Sequence, residues 1–168
     1  AARNLEIVLD VSGSMNAKLG DGNRWQTALA ALKEVLGTLP DDLNVGLRVY
    51  GHRYSSKSAE TCQDTELVVP LGPLDRDKIM TTAEGLKPRG ETPLIRSILK
   101  SVGDLKAAGG GSVILITDGE ESCKGSAKAA AKEIKASGVK LTLNIVGFTL
   151  TSETVENELG TLAGSTGG

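Results

Sequence analysis

Aromatic side chains are nearly missing from this 168-residue chain: Trp25, Tyr50, Tyr54 and Phe148 are all it has. That is too few for a base-stacking surface or an aromatic sugar-binding platform. Histidine occurs once, at His52, and cysteine twice, at Cys62 and Cys123, without the C-x-x-C spacing of a zinc or redox site. The two cysteines leave open one bridge or two free thiols. No run approaches the ~18 uninterrupted apolar residues of a spanning helix, and no leader-like pattern stands at the start. No membrane insertion is expected. The chain opens Ala1-Ala2-Arg3 without methionine, as expected of a mature or trimmed piece. Charge of one sign is also lacking, with Lys+Arg 19 against Asp+Glu 21 and a net charge of −2. Neither nucleic acid nor an anionic membrane is an expected partner.

What is present suits a folded chain, 39% hydrophobic and 24% charged, of a length that fits a single domain over 1–168. Short strand-like runs at 5–9 and 113–116 each stop at an aspartate, Asp10 and Asp118, and suit strands buried on both faces. Strands are also read at 45–50 and 139–146. The run 67–71 carries Pro70, which cannot donate to a central ladder, so it belongs at an edge. Apolar residues at helical spacing predict helices over 25–39, 94–105 and 127–138, with Thr92 as cap and Pro93 in the first turn of the second. Two more helices are expected at 75–86 and 152–162. This alternation predicts a doubly wound, Rossmann-like α/β fold with a mostly parallel sheet, one antiparallel edge strand and helices on both faces. The one long polar loop is 53–65.

Ligands of an open parallel sheet bind beyond the carboxyl ends of its strands. There, Asp10-Val11-Ser12-Gly13-Ser14 sets a carboxylate and two hydroxyls on alternate residues. Thr92, in Gly90-Glu91-Thr92-Pro93-Leu94, offers a third hydroxyl, and Asp118 closes the group from a neighbouring strand. Carboxylates, hydroxyls and water are the ligands of a hard divalent cation, and Mg²⁺ fits best because it keeps several waters. His52 reads as a loop or strand-end residue. Glu91, Glu120 and Glu121 read as solvated rim charges, and the lysines at 124, 128, 132 and 135 as a solvated helical stripe.

Asp10-x-Ser12-x-Ser14, Thr92 in its Gly-x-Thr-Pro-Leu setting and Asp118 in Ile116-Thr117-Asp118-Gly119 resemble, in order and spacing, the von Willebrand factor type A domain. The resemblance spans almost the whole chain. It implies a metal-ion-dependent adhesion site in which Ser12, Ser14 and Thr92 bind Mg²⁺, Mn²⁺ or Ca²⁺ through their hydroxyls, while Asp10 and Asp118 act mostly through water. It also implies a non-enzymatic module whose cation coordinates an Asp or Glu of a protein partner. The strings Val49-Tyr50-Gly51-His52-Arg53, Cys62 and Asp118-Gly119-Glu120-Glu121-Ser122-Cys123 look like a branch found in bacterial surface and exported proteins, which implies an extracytoplasmic location. The alternatives are a subunit of an intracellular ATP-driven assembly or chelatase machine, or a Mg²⁺-dependent phosphohydrolase. The latter would want a carboxylate where Ser12 stands and a lysine aimed at phosphate.

Cys62 follows the second strand and Cys123 the fourth, so both are expected at one sheet edge, bridged, as in exported proteins. The family's sixth strand is expected to be absent after Thr166-Gly167-Gly168, which would leave 139–146 as an exposed edge on a monomer able to pair through it.

Overall fold

The computed structural model describes residues 3–118 and 122–145. Side chains of β1 (Asn4–Asp10) alternate between two helical layers. Leu5, Ile7 and Leu9 face a core built with α1 (Arg24–Thr38) and α2 (Arg76–Glu84). Val8 faces the opposite core, with α3 (Leu94–Ala107) and α4 (Ala127–Ser137). Between β1 and α1 the chain forms a small antiparallel hairpin, β2 (Lys18–Leu19) and β3 (Gly22–Asn23). Its two-residue strands carry no apolar run by which it could be read in advance. Asn23 then starts α1 with a reciprocal cap: its side chain accepts from the Gln26 amide, and its own amide donates to the Gln26 side chain.

The main sheet is completed by β4 (Asn44–Tyr50), β5 (Thr65–Pro73), β6 (Ser112–Thr117) and β7 (Lys140–Ile145), in the order β5-β4-β1-β6-β7. All pairings are parallel except β4 with β5. The predicted α/β architecture with one antiparallel edge strand is therefore what the chain adopts. Pro70 sits where β5 bulges: Val45 pairs with Gly72 and Leu47 with Val69, so two residues of β5 oppose one of β4. A bulge on an edge strand is where a missing N–H is tolerated.

One local expectation is corrected. Thr92 does not cap α3; Pro93 itself is the N-cap, with φ −78° and ψ 61°, and the helix starts at Leu94. Pro93, with its ψ outside helical space, is not the first helical residue, so Thr92 lies one position too early to cap and stays in the loop. Gly138 closes α4 in the left-handed conformation, with φ 74°, as expected of a helix-ending glycine. The expected helix at 152–162 and the fate of the sixth strand lie outside the described residues, among which no helix is long and apolar enough to cross a membrane.

The α3-side core holds a buried carboxyl with an arginine beside it. Glu6 is fully buried on β1, beside Arg48 of β4 and Asp104 of α3. Arg48 Nη2 donates to Asp104 at 2.6 Å, whereas its Nε lies 3.9 Å from Glu6. Burial, reinforced by the Asp104 charge, pushes the Glu6 carboxyl from its ordinary 4.5 up to about 8. Between those values the folded protein holds a proton that the unfolded chain has released, so this group makes stability fall as pH rises from about 4.5 to about 8. Glu6→Gln should remove that slope and raise stability at pH 8 by about 1 kcal/mol or more. Urea unfolding of both proteins at pH 5 and pH 8 checks it; parallel pH trends would refute it.

Candidate metal centre

Sheet order places the site. From β1 the chain winds one way to β4 and later the other way to β6, so a crevice opens beyond the carboxyl ends of β1 and β6. Asp10 and Asp118 lie there, the first fully buried and the second 7% exposed. Asp10 Oδ1 accepts from the Ser12 amide at 2.9 Å and the Ser12 hydroxyl at 2.5 Å. This local turn is what an aspartate two residues upstream of an N–H makes readily. A single 3₁₀ turn over Gly13–Asn16 follows and holds the Ser12 and Ser14 hydroxyls 3.0 Å apart. The Ser14 hydroxyl reaches across to Asp118 Oδ2.

Three residues absent from the predicted set hold these carboxylates in place. The Tyr50 hydroxyl, at the end of β4, donates to Thr117 Oγ1 at 3.0 Å, and Thr117 donates to Asp10 Oδ2 at 2.8 Å. Burial and the nearby Asp10 charge keep the Tyr50 phenol well above its ordinary range, so it stays a proton donor. Arg24, at the start of α1, lies 3.3 Å from Asp118 Oδ2. Thr117 had a sequence signal in standing next to Asp118. Tyr50 had a weaker one at a strand end, and Arg24, fourteen positions beyond Asp10 by its number, had none.

The loop carrying Thr92 is stitched to Ser12. Gly13 N donates to Gly90 O and Gly90 N to Gly51 O, both at 2.8 Å, and Ser12 and Gly90 form a parallel bridge. Gly51 has φ +81°, and a Cβ there would lie 2.7 Å from Ser12 Cα, so no other residue fits that turn. Thr92 is buried in this loop, its amide donating to Ser122 Oγ at 2.7 Å. Asp10, Ser12, Ser14 and Asp118 are thus joined in one hydrogen-bonded chain, with Thr92 on the adjoining loop.

Two buried carboxylates end neighbouring strands. Burial first, and the Asp118 charge second, push the Asp10 carboxyl up to about 7, against the hydrogen bonds from Ser12 and Thr117. Among the described residues no group of three or more His, Cys, Asp or Glu gathers at one point. The donors are therefore two carboxylates and hydroxyls, an all-oxygen set that suits Mg²⁺, Mn²⁺ or Ca²⁺ rather than zinc or copper.

Around the site, the lysine stripe and His52 follow the plainer expectations. His52 bonds Glu66 through Nε2 at 2.7 Å, away from the aspartates of the site. Glu91 is half-buried; Glu120 and Glu121 lie outside the described residues. Lys124, Lys128, Lys132 and Lys135 are exposed. Cys62 and Cys123 form a disulfide, Cα to Cα 5.4 Å, tying loop 53–65 to the segment after Asp118. That loop is ordered from within by Asp64, buried, which accepts from Arg53 Nε at 2.6 Å and from the Arg53 and Tyr54 amides.

The Bacillus subtilis (strain 168) uncharacterized protein YwmD is 35% identical over 154 residues, 88% of this chain and 69% of its own length. The pilus adhesin SpaC from Lactobacillus rhamnosus GG shares the fold at a TM-score of 0.74 and 16% identity, over 99% of this chain and 28% of its own. Manganese-loaded Plasmodium vivax TRAP protein does so at 0.70 and 18%, over 95% of this chain and 63% of its own. This chain therefore corresponds to one part of each of those longer proteins. The family model for the von Willebrand factor type A domain matches residues 5–121, which include Asp10, Ser12, Ser14, Thr92 and Asp118, and the chain belongs to that family.

Proposed function

We propose that this chain is a non-enzymatic, cation-dependent protein-binding module. The observation that carries the reading is the pair of buried carboxylates, Asp10 and Asp118, set side by side at two strand ends with serine hydroxyls between them. Ser12, Ser14 and Thr92 would hold a divalent cation through their hydroxyls, and Asp10 and Asp118 directly or through water. When bound, the cation supplies positive charge and an exchangeable coordination position that an Asp or Glu of a partner protein fills. Neutral hydroxyl ligands leave more of that charge for the partner than carboxylate ligands would.

Other readings have less support. A phosphohydrolase would need an acid where Ser12 stands, and Ser12 instead spends its hydroxyl on Asp10. The Cys62–Cys123 bridge favours an extracytoplasmic location over an intracellular ATP-driven machine, since disulfides persist in oxidising compartments. That the TRAP structure is described as manganese-loaded adds weight to the cation. Isothermal calorimetry with Mg²⁺ and Mn²⁺ tests the reading. The wild type should bind one ion, and Ser12→Ala should weaken binding at least about tenfold, a cost of about 1.4 kcal/mol. Equal affinities would remove Ser12 from the site.

A further inference from the structure

We infer that the Cys62–Cys123 bridge is a redox control on the cation site, acting through Thr61 and Ser122, which hold the loop that carries Thr92. The inference rests on the cation-dependent reading above and adds a regulator to that same site. Three pairs of adjacent residues, drawn from distant parts of the chain, close a ring. Glu91 N donates to Thr61 Oγ1 at 2.9 Å, Thr92 N donates to Ser122 Oγ at 2.7 Å, and Ser122 N donates back to Thr92 O at 3.2 Å. Thr61 precedes Cys62 and Ser122 precedes Cys123, so the disulfide completes the ring. Both amides of the Glu91-Thr92 pair are thus tied to residues that the bridge joins.

Among the described residues, neither hydrophobic core draws on 53–65 or on 122–126. Opening the bridge therefore leaves both cores packed, while the two segments that hold Thr92 lose their covalent tie. Cys62 and Cys123 are half-buried and line a groove of about 660 Å³ between α3 and α4, together with Ile95, Leu99 and Ala129. A groove of that size admits a small dithiol. One thiolate of the dithiol attacks a sulfur of the bridge and releases the other cysteine, and its second thiol then displaces the protein from the mixed disulfide. Two electrons pass to the bridge, the reductant ends as a cyclic disulfide, and its two protons end on Cys62 and Cys123. Linkage works both ways: whatever factor reduction takes from cation affinity, the bound cation adds to the bridge's resistance to reduction.

The test combines calorimetry of the oxidised and reduced protein with redox titrations in dithiothreitol buffers, in chelator and at saturating Mg²⁺. The reduced protein should keep its far-ultraviolet circular dichroism and bind Mg²⁺ about tenfold more weakly, as when a residue that orients a metal ligand is lost. The reduction potential should then be about 30 mV more negative with Mg²⁺ than without it. A double variant, Thr61→Val with Ser122→Ala, keeps the bridge but removes two of the hydrogen bonds. It should bind Mg²⁺ about tenfold more weakly even when oxidised, and its potential should not respond to Mg²⁺. Thr61→Ser with Ser122→Thr should restore both properties. Equal Mg²⁺ affinity in the two redox forms, a reduced protein that unfolds, or a double variant that binds Mg²⁺ like the wild type would each overturn the control alone. No Mg²⁺ binding by the oxidised wild type would instead overturn the cation reading beneath it.

Discussion

Replacing Cys62 and Cys123 together by serine is expected to lower the unfolding free energy by about 2–4 kcal/mol. The bridge closes a chain segment of 61 residues that contains β5, α2, α3 and β6. Its loss frees the unfolded chain more than the folded one. The folded form loses a second tie as well, because the bridge joins loop 53–65 to the segment beyond Asp118, and Glu91 N donates to Thr61 Oγ1 just before Cys62. Loosening that loop should therefore weaken cation affinity even where the domain remains folded. Urea titrations of the oxidised wild type and the double serine variant give the first number, and calorimetry the second. A stability change under about 0.5 kcal/mol, the size of an ordinary surface substitution, would show that the bridge constrains little.

Asp10→Asn is expected to stabilise the cation-free protein and to abolish its response to Mg²⁺. The Asp10 carboxyl, ordinarily 3.8, stands at about 7 in the fold because it is buried beside Asp118. Between pH 3.8 and 7 the folded protein keeps a proton that the unfolded chain has lost, so cation-free stability declines across that window. An amide carries no charge to desolvate and should recover about 1 kcal/mol or more at pH 8. The wild type should gain about 2.7 kcal/mol from Mg²⁺ at a hundred times its Kd, and the variant nothing. The curves should cross: the variant is the more stable protein in chelator, the wild type in excess Mg²⁺. The same titration makes wild-type Mg²⁺ binding release protons and weaken below about pH 7. Thermal melts at pH 8 with chelator and with Mg²⁺ check both arms. A variant less stable in chelator would mean that the hydrogen bonds to Asp10 outweigh its desolvation.

Much of this was legible from the sequence because strand ends, caps and alternation are local signals. Asp10 and Asp118 could be placed since each stops a strand-length run, and Ser12 and Ser14 because alternate residues of a short loop point together. Pro70 marked the antiparallel edge correctly. What stayed hidden depends on which strands become neighbours. Tyr50 and Thr117 meet over Asp10 only because β4 and β6 both flank β1. Arg24 reaches Asp118 only through the way α1 lies on the sheet. Glu6 stood inside what read as a plain buried strand, and the arginine and aspartate that accompany it come from positions 48 and 104. Thr92 was assigned a cap it does not make, because a proline after a threonine reads as the first helical residue, whereas Pro93 here keeps a non-helical ψ and the helix begins one residue later.

The central claim is that Asp10, Ser12, Ser14, Thr92 and Asp118 together hold a divalent cation. Crystals grown in Mn²⁺ and measured at the manganese absorption edge test it most directly. A single strong anomalous peak bordered by the Ser12 and Ser14 hydroxyls, between Asp10 and Asp118 and beside the Thr92 loop, is the predicted result. A peak elsewhere, or none at a concentration that saturates the calorimetric signal, would contradict it.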